Sequence, residues 1–231
     1  MSKFLRIALA LGGVLIGSGI AAGGTDSLQA VFAKMDAVAA HFKGLTADVR
    51  KISHTAVINE DTVDTGTIAV KRPKPHEVRM VMHINPPHAS DTEFSGTKVR
   101  IYYPSMNTVQ EWNLGKHKEL VDQFLLLGFG TNSRNLESAY TITLGGPDTV
   151  AGQKTTRIVL VAKNAEARAQ FPKFELWISD ESGLVVQQKF YQPGGDYIMT
   201  TYTNVKLAPN LPDSVLTLHI PKGAKIEHPQ K

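Results

Sequence analysis

Residues 66–84 read GTIAVKRPKPHEVRMVMHI, and this stretch holds two extended segments separated by a proline-rich break. The second segment alternates apolar side chains with other residues, which in a strand places the apolar ones on one face. These apolar side chains are Val78, Met80, Met82 and Ile84. Residues 65–71 show the same two-residue period, and Pro73 fixes the direction in which the first segment departs. The stretch therefore predicts two strands, the second with a clearly apolar face.

An amphipathic helix is predicted before these strands. Asp26 is a suitable N-cap, and the helix is expected to end near Gly44. Its apolar stripe at helical spacing consists of Leu28, Val31, Phe32, Met35, Val38, Ala39 and Phe42. A second apolar patch with helical spacing lies further along the chain, with Gly128 suited to a C-terminal cap. It consists of Leu120, Val121, Phe124, Leu125, Leu127 and Phe129.

Most of the remaining chain reads as short strands joined by turns. The further strands are predicted at 46–56, 99–103, 108–114, 140–144, 155–162, 174–179, 185–191, 197–207 and 215–220. Turn-forming residues separate several of them, at 145–148, 180–183 and 193–196. About ten strands with short turns curl into a barrel or a strongly bent sheet, and two apolar helices then need a concave face to cover. Such a mainly β fold leaves room for a cavity beneath the helices.

The composition is that of one globular domain that does not bind nucleic acid. The 231 residues are 42% hydrophobic and 20% charged, which excludes a disordered or collagen-like chain. The net charge of +4 falls to +2 without Lys3 and Arg6, which is too little for a nucleic-acid partner. The chain has no cysteine, so disulfides, thiolate metal sites, a thiol nucleophile and a lipid anchor on cysteine are all excluded.

The first 23 residues have the features of a secretory signal peptide. Lys3 and Arg6 precede an apolar run at 7–20, and small residues follow at 21–24. The run is shorter than the roughly 20 residues of a membrane-spanning helix, and its four glycines weaken it further as a permanent span. Cleavage after Gly23, or one or two residues earlier, leaves a single domain at 24–231. We expect a soluble, exported protein in the periplasm.

Motifs of catalysis are not found in the sequence. It lacks a G-x-S-x-G elbow, a phosphate-binding G-x-x-x-x-G-K-[ST] loop and an H-E-x-x-H metal motif. His76 and His83 fall on opposite strand faces, so a metal site there is disfavoured. Asp91 and Glu93 share a strand face, but solvated charges explain them more simply than paired-carboxylate chemistry. We expect no enzyme, no bound metal and no cofactor.

Several segments resemble the LolA family of periplasmic lipoprotein carriers. They are the K-R-P stretch at 66–73, the alternating strand at 78–84 and SGTKVRIYYP at 95–104. The later segments FELWISD at 174–180, 197–204 and HIPKGA at 219–224 agree as well. The resemblance covers essentially the whole mature chain. The order of the segments, the leading helix and the lack of an anchoring cysteine are consistent with it.

The resemblance implies an incomplete antiparallel β-barrel of about eleven strands, with helices as a lid over a hydrophobic cavity. Members of the family carry lipoproteins from the inner to the outer membrane with the acyl chains in this cavity. In the family, the arginine of the K-R-P string bonds to the helical lid and holds it closed until cargo arrives. The matching residue here is Arg72, which is followed by Pro73.

The resemblance also implies the partners of the chain. They are acylated lipoproteins, an inner-membrane ABC transporter that loads the carrier and an outer-membrane acceptor that unloads it. The protein is expected to be a monomer.

The candidate lipid-binding residues are apolar side chains on the strands and on the two helical patches. Burying an acyl chain is favourable by about 0.8 kcal/mol per CH₂, whereas an unpaired polar group in the wall would cost more than that. The candidates on the strands are Val78, Met80, Met82, Val99 and Ile101, and those on the helices are Leu28, Val31, Phe32, Met35, Leu120, Phe124 and Leu127. Methionine suits a lining that must also release its ligand. Ordinary core packing explains the same residues, and a solvated strand-end arginine explains Arg72.

Two departures from the family pattern leave other functions open. Lys74-Pro75-His76 replaces an exposed aromatic residue that commonly follows K-R-P, and Arg100 replaces another aromatic. A periplasmic shuttle for glycolipids or other lipids and a lipoprotein sensor therefore stay as alternatives on the same fold. An enzyme would require polar groups that converge in the cavity, for instance Tyr102, Tyr140, His76 and Asp91.

Overall fold

The computed structural model describes residues 27–74, 77–115, 127 and 129–229. The expected signal peptide at 1–23 lies outside these residues, as do Leu120 and Phe124 of the expected second helix. Three α-helices are present in the described chain. They are α1 (Leu28–Ala39), α2 (Ser133–Ala139) and α3 (Ala165–Gln170).

Twelve strands of the described chain form one sheet. They are β1 (Gly44–Thr55), β2 (Glu60–Lys74), β3 (Glu77–Ile84), β4 (Ser90–Ser95), β5 (Lys98–Tyr103), β6 (Thr108–Asn113), β7 (Tyr140–Val150), β8 (Gln153–Ala162), β9 (Lys173–Ser179), β10 (Val185–Tyr191), β11 (Tyr197–Leu207) and β12 (Lys225–Glu227). Their order is β12-β6-β5-β4-β3-β2-β1-β11-β10-β9-β8-β7. All pairs are antiparallel except β12 with β6. Because β7 and β12 are not paired with each other, the sheet is open. The expected incomplete barrel is confirmed, with one strand more than expected.

The two faces of the sheet are covered by different segments. On the inner face, α1 and Leu127 pack against β7–β10 in a closed core. On the outer face, the chain after β11 buries Leu211 and Leu216 beside Ala69 of β2, and Leu218 beside Val109 of β6. The C-terminal segment is therefore a cover for the side of the sheet that α1 leaves free.

The expected strand at 215–220 is wrong. The segment instead contains a single 3-10 turn, Asp213–Leu216, and an irregular stretch. Leu216 and Leu218 are 0% and 5% exposed, so they serve as anchors on the outer face. Their two-residue spacing looks like a strand in the sequence, although it reflects packing onto a sheet and not membership in one.

The expected turn at 145–148 is also wrong, because β7 continues through it to Val150. The pairing of β7 with β8 shifts between Leu144 and Gly146, and Gly146 has a φ of +90°. A bulge of this kind suits glycine, and an edge strand tolerates Pro147 because its missing N–H faces no partner strand. The chain turns at Ala151 and Gly152 instead.

Side-chain caps fix helix α1 at its start and tie it to α2. Ser27, and not the expected Asp26, is the N-cap, and its hydroxyl accepts a hydrogen bond from the backbone N–H of Ala30 at 3.2 Å. The carboxylate of Asp36 accepts hydrogen bonds from Ser133, from its backbone N–H at 2.6 Å and from its hydroxyl at 2.7 Å. Asp36 thus satisfies an N–H at the start of α2, which joins the two helices above the sheet.

Gly66 of β2 lies against the backbone of β3, and we expect it to tolerate no side chain. A Cβ at this position would lie 1.8 Å from the carbonyl oxygen of His83, which is backbone and cannot move aside. Gly66→Ala is therefore expected to lower the free energy of unfolding by more than about 2 kcal/mol in urea titrations. Thr67→Ala, on the exposed side of the same strand, is the matched control and should cost less than about 1 kcal/mol. Equal losses in the two variants would contradict this explanation.

Candidate functional site

A cavity of about 290 Å³ lies on the inner face of the sheet, beside the closed core. Strands β1, β2, β3, β10 and β11 form its wall, and residues before β1 and around 129 complete it. Nine lining residues are apolar: Phe42, Ile68, Val70, Val78, Met80, Met82, Phe129, Phe190 and Ile198. Five have polar side-chain groups: Lys51, Arg72, Gln188, Thr200 and Tyr202. The volume is at the lower end of the range of ligand pockets, about 300–1,000 Å³.

Two phenylalanines, Phe42 and Phe129, line the cavity from outside the strands. Phe129 meets the ring of Tyr202 edge-on, with centroids 4.8 Å apart. Gly130 has a φ of +70°, and a Cβ there would lie 2.4 Å from the ring of Phe42. Glycine at 130 therefore lets the chain turn tightly over Phe42 and places Phe129 above the cavity.

The predicted lipid-binding residues fall into three places. Val78, Met80 and Met82 line the cavity. Val99 pairs with Phe94, which pairs with Met80, and Ile101 pairs with Thr92, which pairs with Met82. Both residues therefore lie on the inner face, but neither is part of the cavity wall. The helical candidates lie in the closed core or packed against it: Leu28, Val31, Phe32, Met35 and Leu127. Leu120 and Phe124 lie outside the described residues. Lipid binding by any of these residues stays a prediction.

Arg72 bonds to the segment that closes the cavity. Its guanidinium donates to the carbonyl oxygens of Gly130 and Phe129, the latter at 3.3 Å. Its Nε is buried and has no hydrogen-bond partner among the described residues. Burial lowers the pKa of Arg72, although an arginine stays charged at any physiological pH. The geometry is that of a latch between β2 and residues 129–130, while Pro73 is exposed at the departure of the strand.

A row of polar side chains crosses the inner face of four neighbouring strands, and the sequence did not point to it. Gln188 of β10 lies opposite Thr200 of β11, Thr200 lies opposite Lys51 of β1, and Lys51 lies opposite Asp64 of β2. The pairing register brings them together. The decisive contact is that of β11 with β1, two strands that are far apart in the chain.

Asp64 is the charged end of this polar row. Its carboxylate is 6% exposed and lies 2.8 Å from Nζ of Lys51 and 2.8 Å from Nδ1 of His88. Burial by itself would raise the pKa of Asp64, but the hydrogen bonds and charges of Lys51 and His88 outweigh it and lower the pKa overall. The row therefore ends in a carboxylate that is ionised and paired at neutral pH.

Removal of the Asp64 charge is expected to weaken the fold and to change its acid sensitivity. A carboxylate with a lowered folded-state pKa stabilises above its unfolded pKa of about 3.9, and this contribution is lost as the pH falls through the folded-state pKa. Asp64→Asn should lower the free energy of unfolding at pH 7 by about 1–3 kcal/mol, with a shallower decline towards acid. Urea titrations from neutral pH to about pH 2 measure both effects.

Asp61→Asn is the matched control, because Asp61 makes a similar contact with His54 but is 48% exposed. Its loss should cost less than about 1 kcal/mol. Identical acid profiles for wild type and Asp64→Asn would contradict the assignment.

The polar groups considered for an enzyme do not converge in the cavity. Tyr140 is buried in the closed core of the inner face, whereas Asp91 and Tyr102 are register partners on the outer face. Asp91 contacts His83 at 2.8 Å, and Glu93 accepts from Arg100 at 2.6 Å and from the N–H of Leu218 at 2.7 Å. Arg100 thus has a structural partner at the place where the family pattern has an aromatic residue. His76 lies outside the described residues.

The described residues contain no group of three or more histidines and carboxylates placed to hold a metal ion. None of their helices has the length and apolarity needed to cross a membrane.

Comparisons with known proteins give the fold and little sequence similarity. No protein-family model matches the chain, and no curated protein matches its sequence. MucB, of known crystal structure, is 13% identical with a TM-score of 0.52, and the match covers 85% of this chain and 64% of MucB. An uncharacterised conserved protein from Thermus thermophilus is 14% identical with a TM-score of 0.52, covering 87% of this chain and 98% of that protein.

Its structural neighbours include LolA superfamily proteins. One of them, from Nitrosomonas europaea, is 13% identical with a TM-score of 0.40, and the match covers 84% of this chain and 98% of that one. The likeness to MucB and to the Thermus thermophilus protein, each at a TM-score of 0.52, confirms the expected fold and concerns the fold alone. This fold is the frame for the cavity and the Arg72 contacts.

Proposed function

We propose that this protein is a periplasmic carrier that binds the acyl chains of lipoproteins in its cavity and shuttles them from the inner to the outer membrane. The observation that supports this most is the composition of the cavity, in which nine of the fourteen lining residues are apolar. An apolar chain placed there gains about 0.8 kcal/mol per CH₂. The carrier works without catalysis, metal or cofactor.

The cavity volume limits how much lipid the protein holds in this conformation. At about 290 Å³ it lies just below the usual range of ligand pockets, about 300–1,000 Å³. A bulkier cargo makes room, in our proposal, by moving the segment at 129–130 away from Arg72. Loading and opening of the latch are then coupled.

The latch gives the carrier a way to release its cargo. Hydrogen bonds to a charged group are worth about 1.5–3 kcal/mol, and closing the cavity restores the two that Arg72 makes. These bonds favour the empty, closed state and so reduce the affinity for a ligand that needs the open one. The ligand is consequently held less tightly than its buried surface alone would predict.

The proposed route requires export and two membrane partners. The signal peptide at 1–23 directs the chain to the periplasm, an inner-membrane ABC transporter loads it, and an outer-membrane acceptor unloads it. Cell fractionation of the full-length chain and N-terminal sequencing of the mature protein test the first step. A chain that stays in the cytoplasm with its leader intact would contradict it.

The decisive experiment identifies what the exported protein contains. The protein is purified from the periplasm without detergent and weighed by native mass spectrometry, and its lipids are extracted and identified by fragmentation. A bound diacylated or triacylated peptide supports the lipoprotein carrier. A bound glycolipid or phospholipid favours the alternative lipid shuttle instead. If no acyl species is bound and an added synthetic lipopeptide is not taken up, the carrier proposal is wrong.

A further inference from the structure

Gln188 is a polar side chain in an apolar cavity, and its amide oxygen has no partner among the described residues. The residue is 9% exposed and lines the cavity. Its amide nitrogen donates to the hydroxyl of Tyr202, which is 2% exposed. Oε1 is buried and accepts no hydrogen bond from any residue in the described part of the chain. A buried acceptor without a donor costs about 1–3 kcal/mol, so this position is costly unless a ligand supplies the donor.

Gln188 stands at one end of the polar row, and the row gives a mostly apolar cavity wall one polar strip. Gln188, Thr200 and Lys51 follow one another along this strip across β10, β11 and β1. Apolar lining residues flank it on both sides, with Ile68, Val70 and Met80 on one and Phe190 and Ile198 on the other. An amphipathic ligand fits this arrangement with its polar linkage at the row and its chain against the apolar wall beside it.

The chemistry of the row selects among acyl linkages. An ester has only acceptors, whereas an amide has an N–H donor next to its carbonyl acceptor. Oε1 of Gln188 needs a donor, and the Thr200 hydroxyl and the Lys51 ammonium offer donors to a carbonyl. An amide therefore gives Oε1 a donor while its carbonyl accepts from Thr200 or Lys51, and an ester leaves Oε1 unpaired.

We infer that Gln188 and Thr200 form a subsite for the amide linkage of an N-acylated ligand, with the amide N–H donating to Oε1 of Gln188. This inference rests on the proposed binding of acyl chains in the cavity and adds the class of linkage that the cavity prefers. The Lys51–Asp64 pair closes the row on the far side and keeps the Lys51 ammonium in place.

The test compares two probes that differ only at the linkage, N-methyldodecanamide and methyl dodecanoate. Their dissociation constants are measured by displacement of a fluorescent fatty acid from the wild type and from Gln188→Met, which keeps the side-chain length and removes the amide. The ratio of amide to ester affinity should fall by about fivefold to tenfold in Gln188→Met, the size of one hydrogen bond. Comparison of ratios cancels the different hydration of the two probes.

Gln187→Met is the matched control, since Gln187 lies on the outer face and accepts from the Thr201 hydroxyl at 2.8 Å. Its ratio should equal that of the wild type. An unchanged ratio in Gln188→Met overturns the amide subsite while leaving the acyl carrier intact. Failure of the wild type to bind either probe overturns the carrier proposal itself.

A second measurement needs no variant and so is independent of folding. N-methyldodecanamide is labelled with ¹⁵N, and exchange of its amide proton with solvent is followed by NMR with and without the wild-type protein. Burial against Oε1 should slow the exchange at least about tenfold relative to the free probe. Exchange at the free rate in the complex would overturn the inference.

Discussion

Arg72→Leu is expected to bind lipid at least about a hundredfold more tightly than the wild type, since about 3 kcal/mol is the lower bound for the two bonds it loses, and to release it correspondingly slowly. The reason is the loss of the hydrogen bonds to the carbonyls of Phe129 and Gly130, which are worth about 1.5–3 kcal/mol each and stabilise the closed state only. The same loss should lower the stability of the ligand-free protein. Opposite changes in lipid affinity and in apo stability are the signature of a latch.

Transfer of a loaded fluorescent lipopeptide to acceptor vesicles, followed over time, measures the release. The thermal midpoint of the delipidated protein measures the stability. Arg79→Leu is the matched control, because Arg79 lies on β3 and pairs with Asp213 on the outer face at 3.0 Å. It should leave lipid release unchanged. Normal release by Arg72→Leu would show that Arg72 has a structural role only.

Met82→Trp is expected to lower the affinity for a twelve-carbon chain at least about tenfold, because the indole fills part of the cavity. It takes the room of roughly two methylenes, each worth about 0.8 kcal/mol of burial. Met82 lies on β3 opposite Ile68, and both line the cavity. Filling a cavity commonly stabilises a protein by about 0.5–2 kcal/mol, so the variant should be at least as stable as the wild type. Loss of binding without loss of stability separates this effect from misfolding.

Displacement of a fluorescent fatty acid measures the affinity, and urea titration measures the stability. His83→Trp places the same ring on the neighbouring position of the same strand, where His83 is 50% exposed on the outer face. Its affinity should be that of the wild type. Equal affinity in Met82→Trp and the wild type would mean that the chain binds somewhere other than this cavity.

These two variants separate the two parts of the carrier proposal. Met82→Trp tests where the acyl chain lies, and Arg72→Leu tests what limits its departure. A carrier with a cavity but no latch would respond to the first variant only. A structural core with no ligand would respond to neither, since no probe would bind.

Local alternation in the sequence determined the fold class and much of the wall. The strand at 78–84 contains few residues, yet its two-residue period correctly places Val78, Met80 and Met82 on the face that lines the cavity. The K-R-P motif likewise singled out Arg72, whose guanidinium donates to the carbonyls of Phe129 and Gly130, 57 and 58 residues later in the chain. Such features are local, because the periodicity of a strand depends only on neighbouring residues.

The tertiary structure decided which apolar residues pack and which leave space. Val31, Phe32 and Met35 have the same amphipathic pattern as a lid would need, but α1 packs them into a closed core against β7–β10. In the same way, Leu216 and Leu218 read as a strand and instead anchor a covering segment. Burial depends on what lies opposite each residue, and this is set by strand order and register.

The polar row shows the same limit most clearly. Gln188 and Thr200 lie on the consecutive strands β10 and β11, and Lys51 and Asp64 on β1 and β2, so the four meet only because β11 pairs with the distant β1. By itself the sequence determined the alternating apolar strands and the motif around Arg72. Only the folded sheet decided where the cavity lies and which polar groups face it, because long-range strand pairing, and not local periodicity, brings those side chains together.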